Sequence, residues 1–175
     1  MDKKELLKKM KELDERIFDL YPEFGARCIV IGGGALILKD LIPRMTTDID
    51  VINAKEEMLN LFPIFGFSNK ATVYEMNLPY NYEDRLEKIH IETKSLEYFT
   101  PSTEDLIVTK FYASREKDIE DIHNIKKSGK YSTERLKKVV EEARMTSMND
   151  FKYREMVSLY HRYFNEEEND ESSNI

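Results

Sequence analysis

An α/β fold, a mixed sheet flanked by helices and followed by a helical C-terminal segment, is predicted by three observations on this chain. Two compact apolar runs, Arg27 to Ile31 and Asp48 to Ile52, read as buried strands, the first bounded by glycines. Apolar residues at three- and four-residue spacing precede and separate them, the signature of helices packed on a sheet. After residue 103 only the helical spacing remains.

The elements follow in order. Leu6, Leu7, Met10, Leu13, Ile17 and Phe18 place one amphipathic helix over residues 3 to 20, ending before Tyr21-Pro22. The strand Arg27 to Ile31 leads into a helix from Gly34 to Leu41, the strand Asp48 to Ile52, and a helix from Lys55 to Phe62 that Pro63 is expected to close. The shorter runs TVYEM, RLEKIHIET and SLEYFT suit an antiparallel extension of the sheet. Ser102 or Thr103 can cap the next helix, with Glu104 and Asp105 complementing its dipole. Helices are expected over about 103 to 114, 117 to 127, 133 to 145 and 149 to 164. The domain boundaries drawn from this are 1–127 for the sheet domain, 128–165 for the helical segment and 166–175 for a disordered acidic tail.

Composition narrows the class. A chain of 175 residues can bury about 70% of its unfolded surface, enough for a core without staples. Cys28 is the only cysteine, which leaves no intrachain disulfide and no cysteine-rich zinc site, and no apolar run approaches a membrane span. A cytoplasmic protein that does not enter the membrane is the expectation. The net charge of −7 argues against coating nucleic acid by bulk positive charge. Its distribution is uneven, however: Lys126, Lys127, Lys130, Arg135, Lys137, Lys138 and Arg144 form a basic segment that is either a solvated helix face or a local phosphate contact.

Two features carry chemistry. Gly32, Gly33 and Gly34 follow a strand at the mouth of a helix, where the backbone can turn sharply and come close to an anion such as phosphate. A tight packing turn is the bland alternative, and the spacing is not that of a dinucleotide-binding fingerprint. Downstream, Asp48 and Asp50 stand two apart on a strand, so they leave the same face with Cα atoms roughly 6.5 Å apart. Two like charges so placed repel. A hard divalent cation such as Mg²⁺ would neutralise them, and a pair of such ions roughly 3.5 to 4 Å apart can clamp a phosphoryl displacement.

Glycines, a spacer, then R-x-T-x-D-I-D-V, here Gly32-Gly33, Arg44, Thr46 and Asp48 to Val51, resemble the signature of the nucleotidyltransferase superfamily. Within it the chain is similar to the minimal bacterial nucleotidyltransferases of the DUF6036 group and, more distantly, to AbiEii-type toxins. LPYNYEDRL at Leu78 to Leu86 and TPSTEDLIVTKFYASREKDIEDI at Thr100 to Ile122 support this, the second being similar to the group's S-x-E-D-L-x-x-x-K-x-x-A-x-R-x-K-D-x-x-D-I.

The resemblance implies the nucleotidyltransferase fold and transfer of a nucleoside monophosphate from an NTP to a hydroxyl of RNA, such as tRNA, of protein or of a small molecule. It implies Mg²⁺ or Mn²⁺ on Asp48 and Asp50, the triphosphate at Gly32, Gly33 and Gly34 with Thr46 and Thr47 beside it, and Arg44 or Lys110 neutralising phosphate charge. For the toxins it also implies an antitoxin partner. Leu106, Lys110 and Ala113 share a helix face, so the Lys110 ammonium either snorkels to solvent or points into the cleft. The family motif places Lys110 and Asp118 in the site; Asp118 and Asp121 can instead orient Lys110 or Arg115. Many relatives carry a third carboxylate after the D-x-D strand. Here the candidates are Glu87, Glu92 and Glu97, with Glu92 preferred, while His90 reads as a strand residue. The alternative function is a catalytically impaired nucleotide-binding or toxin–antitoxin partner protein on the same fold.

Overall fold

The first helix, α1 (Lys3–Leu20), matches its expected span in a computed structural model that describes residues 1–164. The acidic segment 166–175, expected as a disordered tail, lies outside the described residues. A reciprocal capping box starts α1: the Asp2 carboxylate accepts the Glu5 amide and the Glu5 carboxylate accepts the Asp2 amide. Leu6, Met10, Leu13 and Ile17 are fully buried along one stripe, each worth roughly 1.5–3 kcal/mol of burial. Asp14 stands in that stripe and is buried too. Its carboxylate accepts the amides of Lys94 at 2.9 Å and of Ser95 and Leu96 at 2.8 Å, so three charge-assisted bonds offset its desolvation.

The chain then forms β1 (Ala26–Val30), α2 (Gly32–Leu38), β2 (Ile49–Ile52), α3 (Glu56–Leu59), α4 (Phe62–Phe65), β3 (Phe67–Ser68), β4 (Glu87–Lys88) and β5 (Leu96–Thr100). The strands make one mixed sheet in the order β3-β2-β1-β5-β4. β1 is antiparallel to β2 and parallel to β5, β2 is parallel to β3, and β4 is antiparallel to β5.

Three expectations are corrected. Pro63 does not close a helix. It sits in the first turn of α4, where its missing N–H costs nothing, and Gly66 at φ 76° ends that helix in the left-handed conformation. TVYEM is not a strand but part of a 3-10 helix over Lys70–Asn77. The Ser68 hydroxyl accepts the Lys70 amide and the Asn69 carbonyl accepts the Thr72 amide, turning the chain as it leaves β3. In RLEKIHIET only Glu87–Lys88 is strand, although the Ile89 amide still donates to the Tyr98 carbonyl. Further on, Asp14 gathers the amides of residues 94 to 96, where the chain bends into β5.

The chain separates into two compact units, one of Met1–Glu75 with Glu83–Ser102, the other of Met76–Tyr82 with the chain from Thr103 onward. The division therefore falls at Ser102/Thr103, whereas the sequence reading drew its line after residue 127. The second unit holds α5 (Thr103–Ala113), α6 (Glu116–Ser128), α7 (Thr133–Thr146) and α8 (Asp150–Phe164). α5 is buried nearly all round, through Leu106, Ile107, Val108 and Phe111, and packs against α6, α7 and α8, which is why it groups with them. No helix among the described residues is long and apolar enough to cross a membrane.

Candidate active site

The register of the sheet places the two aspartates. Ile29 faces Ile52 and Val30 faces Val51, so alternation puts Asp50, and Asp48 just ahead of the strand, on the sheet face of Ile29 and Ile52. The opposite face carries Val30, Ile49 and Tyr98 and is covered by α1, where the Tyr98 hydroxyl donates to the Met10 carbonyl at 2.8 Å. Both aspartates are half-buried.

The glycines divide their work. Gly32 adopts φ 65°, and a Cβ there would stand 3.1 Å from Oδ2 of Asp50, so only glycine brings the backbone this close to that carboxylate. A Cβ on Gly33 would stand 3.1 Å from both terminal nitrogens of Arg44, so the guanidinium lies directly over this turn. Gly34 faces away: its Cβ would meet Val30 Cγ1 at 3.5 Å and Ile49 Cα at 4.0 Å, a packing position between α2 and the strands. Arg44 and Asp50, 6 positions apart in the chain, thus converge on one two-glycine step.

The loop ahead of β2 is held from both sides. The Thr46 hydroxyl donates to the Asp48 carbonyl at 3.1 Å and the Thr47 hydroxyl to Oδ1 of Asp48 at 3.4 Å. The Thr46 amide donates to the Met1 carbonyl at 3.1 Å, and the Met1 amine donates back to the Thr46 carbonyl. The Asp50 carbonyl accepts the Ile31 amide and the Ile49 amide donates to Gly66, both at 2.9 Å. Met1 was not foreseen, and nothing in its sequence surroundings marks it. Asp14 was not foreseen either, although an acid inside the apolar stripe of α1 is the signal that could have found it.

The third-carboxylate candidates do not gather around Asp48 and Asp50. Glu87 pairs with Lys39, whose ammonium also reaches the Pro101 carbonyl. Glu92 lines an open cavity against α1 with Lys8, Lys11, Glu12 and Glu15. His90 lines the same cavity, outside any strand. Glu97 does share the aspartates' sheet face, but it pairs with Arg27, four residues short of Ile31, whose amide marks the level of Asp50. That is roughly 13 Å along the strands. Among the described residues, no three or more His, Cys, Asp or Glu side chains are arranged to hold a metal ion.

Lys110 and Asp118 belong to the helical unit. The Lys110 ammonium is buried and lies 3.0 Å from Oδ1 of Asp118 and 2.9 Å from Oδ2 of Asp121, both carboxylates having no exposed surface. Arg115 adds its Nε at 2.7 Å and its backbone amide at 3.2 Å to Oδ2 of Asp118. Burial pushes the Asp118 carboxyl up, but the Arg115 hydrogen bond and the Lys110 ammonium together outweigh it and hold the group below the usual carboxylate range. Snorkelling is not what Lys110 does: its charge is turned inward and matched within the α5–α6 pair.

A half-exposed acid pair on a strand, glycines that admit close approach and an arginine over the same turn can receive a polyphosphate with its counter-ion. No curated protein and no solved structure matches the chain significantly. A family model described as "Nucleotidyltransferase of unknown function (DUF6036)" matches residues 8–169, running through both compact units, and the chain belongs to that family.

Proposed function

We propose that the chain is a metal-dependent nucleotidyltransferase that moves a nucleoside monophosphate from an NTP to a hydroxyl of RNA, protein or a small molecule. The observation that carries this is the convergence of Asp50 on Gly32 and Arg44 on Gly33 beside Asp48. Mg²⁺ typically uses one or two carboxylates together with substrate phosphates and keeps several waters. Two aspartates, with no third His, Cys, Asp or Glu grouped with them among the described residues, fit an ion that arrives with the nucleotide. Bound there, such an ion would neutralise the aspartate pair and the charge developing on the transferred phosphoryl group. The chain's own groups do the rest. Arg44 offers a planar, always charged fork to phosphate oxygens, Gly32 and Gly33 leave room for them, and Thr46 and Thr47 hold the Asp48 loop.

The residues of the helical unit enter this reading differently. Lys110 and Asp118 satisfy each other, so the role their geometry supports is to hold α5 on α6. A second reading, a nucleotide-binding protein or toxin–antitoxin partner without turnover, draws on the dispersal of Glu87, Glu92 and Glu97. One assay separates the two. Labelled NTPs are incubated with Mg²⁺ or Mn²⁺ and either total RNA or protein lysate as separate acceptors. Incorporation that depends on metal and on Asp50 supports transfer and names the acceptor class; nucleotide binding without incorporation supports the second reading.

A further inference from the structure

We infer that the helical unit carries a binding surface for single-stranded nucleic acid, centred on Phe164 and the cavity between the start of α7 and the end of α8. The cavity, of about 190 Å³, is lined by Thr133, Glu134, Leu136, Lys137, Tyr160 and Phe164. Ligand pockets for whole drug-sized molecules run to roughly 300–1,000 Å³. This one suits a single ring system.

Its aromatic side is built in advance. The half-buried Phe164 ring stacks on Tyr160 at 6.4 Å and meets the edges of Phe111 at 5.9 Å and Tyr131 at 5.2 Å. A ring fixed by three others loses little freedom when a base stacks on it, and such stacking tolerates any base. Cations flank it on two elements. Lys126 of α6 stands 5.9 Å from the centre of the Phe164 ring, and Lys137 of α7 lines the cavity; both are exposed. Elsewhere on these helices Arg135 lies 3.6 Å from Glu104 and Lys138 lies 4.0 Å from Glu142. Neither Lys126 nor Lys137 has such a carboxylate partner among the described residues. Alternating aromatic and basic groups across a small cavity match a strand whose base stacks while its phosphates run past the lysines.

Glu134 gives the surface a preference. A carboxylate accepts from an exocyclic amine, which adenine, cytosine and guanine carry and uracil lacks. Oligo(A) and oligo(C) should therefore bind more tightly than oligo(U).

The test is fluorescence anisotropy of labelled RNA of about twelve nucleotides with the full chain, without NTP or metal, so that its outcome is independent of the transfer reading. Binding should weaken with salt, and the Lys126→Ala, Lys137→Ala pair should reduce affinity about tenfold and flatten the salt dependence. Phe164→Leu should cost about tenfold in affinity, and Glu134→Ala should abolish discrimination against oligo(U). Unaltered melting of the doubly lysine-substituted chain shows that folding is not the cause. The inference is overturned by absence of RNA binding at low salt, by equal affinity of the lysine variant, or by equally good displacement with an acidic peptide, which would make this a protein-docking face.

Discussion

The acids of the sheet unit and those of the helical unit are opposite solutions to one problem. Asp118 and Asp121 are wholly buried, and each finds the Lys110 ammonium within 3.0 Å, with Arg115 adding a second cation to Asp118. Asp48 and Asp50 remain half-exposed on one face of a strand end, facing the glycine step and its arginine. Buried charge must be matched by the chain itself, because water cannot reach it. Charge kept near the surface can wait for a ligand. The first cluster therefore serves the fold; under the proposed function, the second stays close enough to the surface for a cation and phosphate to reach it.

If this contrast holds, removing a charge should do opposite things in the two places. The largest effect is expected from Lys110→Met, which leaves two buried carboxylates facing each other and should cost about 3–5 kcal/mol of stability. Urea unfolding measures it, and a loss under about 1 kcal/mol would show that the cluster is wetter than it looks. Asp50→Asn should instead change the melting temperature far less than Lys110→Met does, because its half-exposed carboxylate is screened by water and losing its charge also eases repulsion from Asp48. Its cost should appear in transfer, at about a hundredfold or more, and in loss of the stabilisation by NTP with Mg²⁺. An Asp50→Asn chain that still gains stability from NTP with Mg²⁺ as the parent does would remove the aspartate pair from the nucleotide site.

The smallest effect is in pH. Because the folded Asp118 carboxyl is held low, its contribution to stability is complete above the unfolded value of about 4 and is lost as pH falls through the folded one. Urea midpoints measured downward from pH 6 should drop more for the parent than for Asp118→Asn, whose side chain has no proton to take up at that site. Parallel curves for the two chains would contradict the assignment.

Local periodicity made the helices legible. Leu6, Met10, Leu13 and Ile17 repeat at the helical spacing, and α1 extends about one turn beyond that stripe at each end. The strands around the glycines and aspartates were equally plain, since short apolar runs bounded by turn residues have few other solutions. TVYEM and RLEKIHIET misled for the converse reason: strand-like composition does not make a strand unless a neighbour offers its ladder. RLEKIHIET stays in a ladder only where β5 lies beside it, at Glu87 and Lys88, and the chain's entry into β5 is fixed by Asp14, about 80 residues away.

By itself the sequence determined the residue types of the site and the sheet face shared by Asp48 and Asp50, because a two-residue period is a property of the strand. It also placed three glycines, Gly32 to Gly34, where the backbone could turn sharply, while the structure assigned that turn to Gly32. Only the tertiary structure decided that Arg44 lies over Gly33, that Gly34 packs instead of opening, and that Glu92 stands against α1. It alone turned Lys110 inward to Asp118 and Asp121. Pattern along a chain specifies which way a side chain leaves its element; what it meets there depends on contacts between distant segments, which no local period encodes.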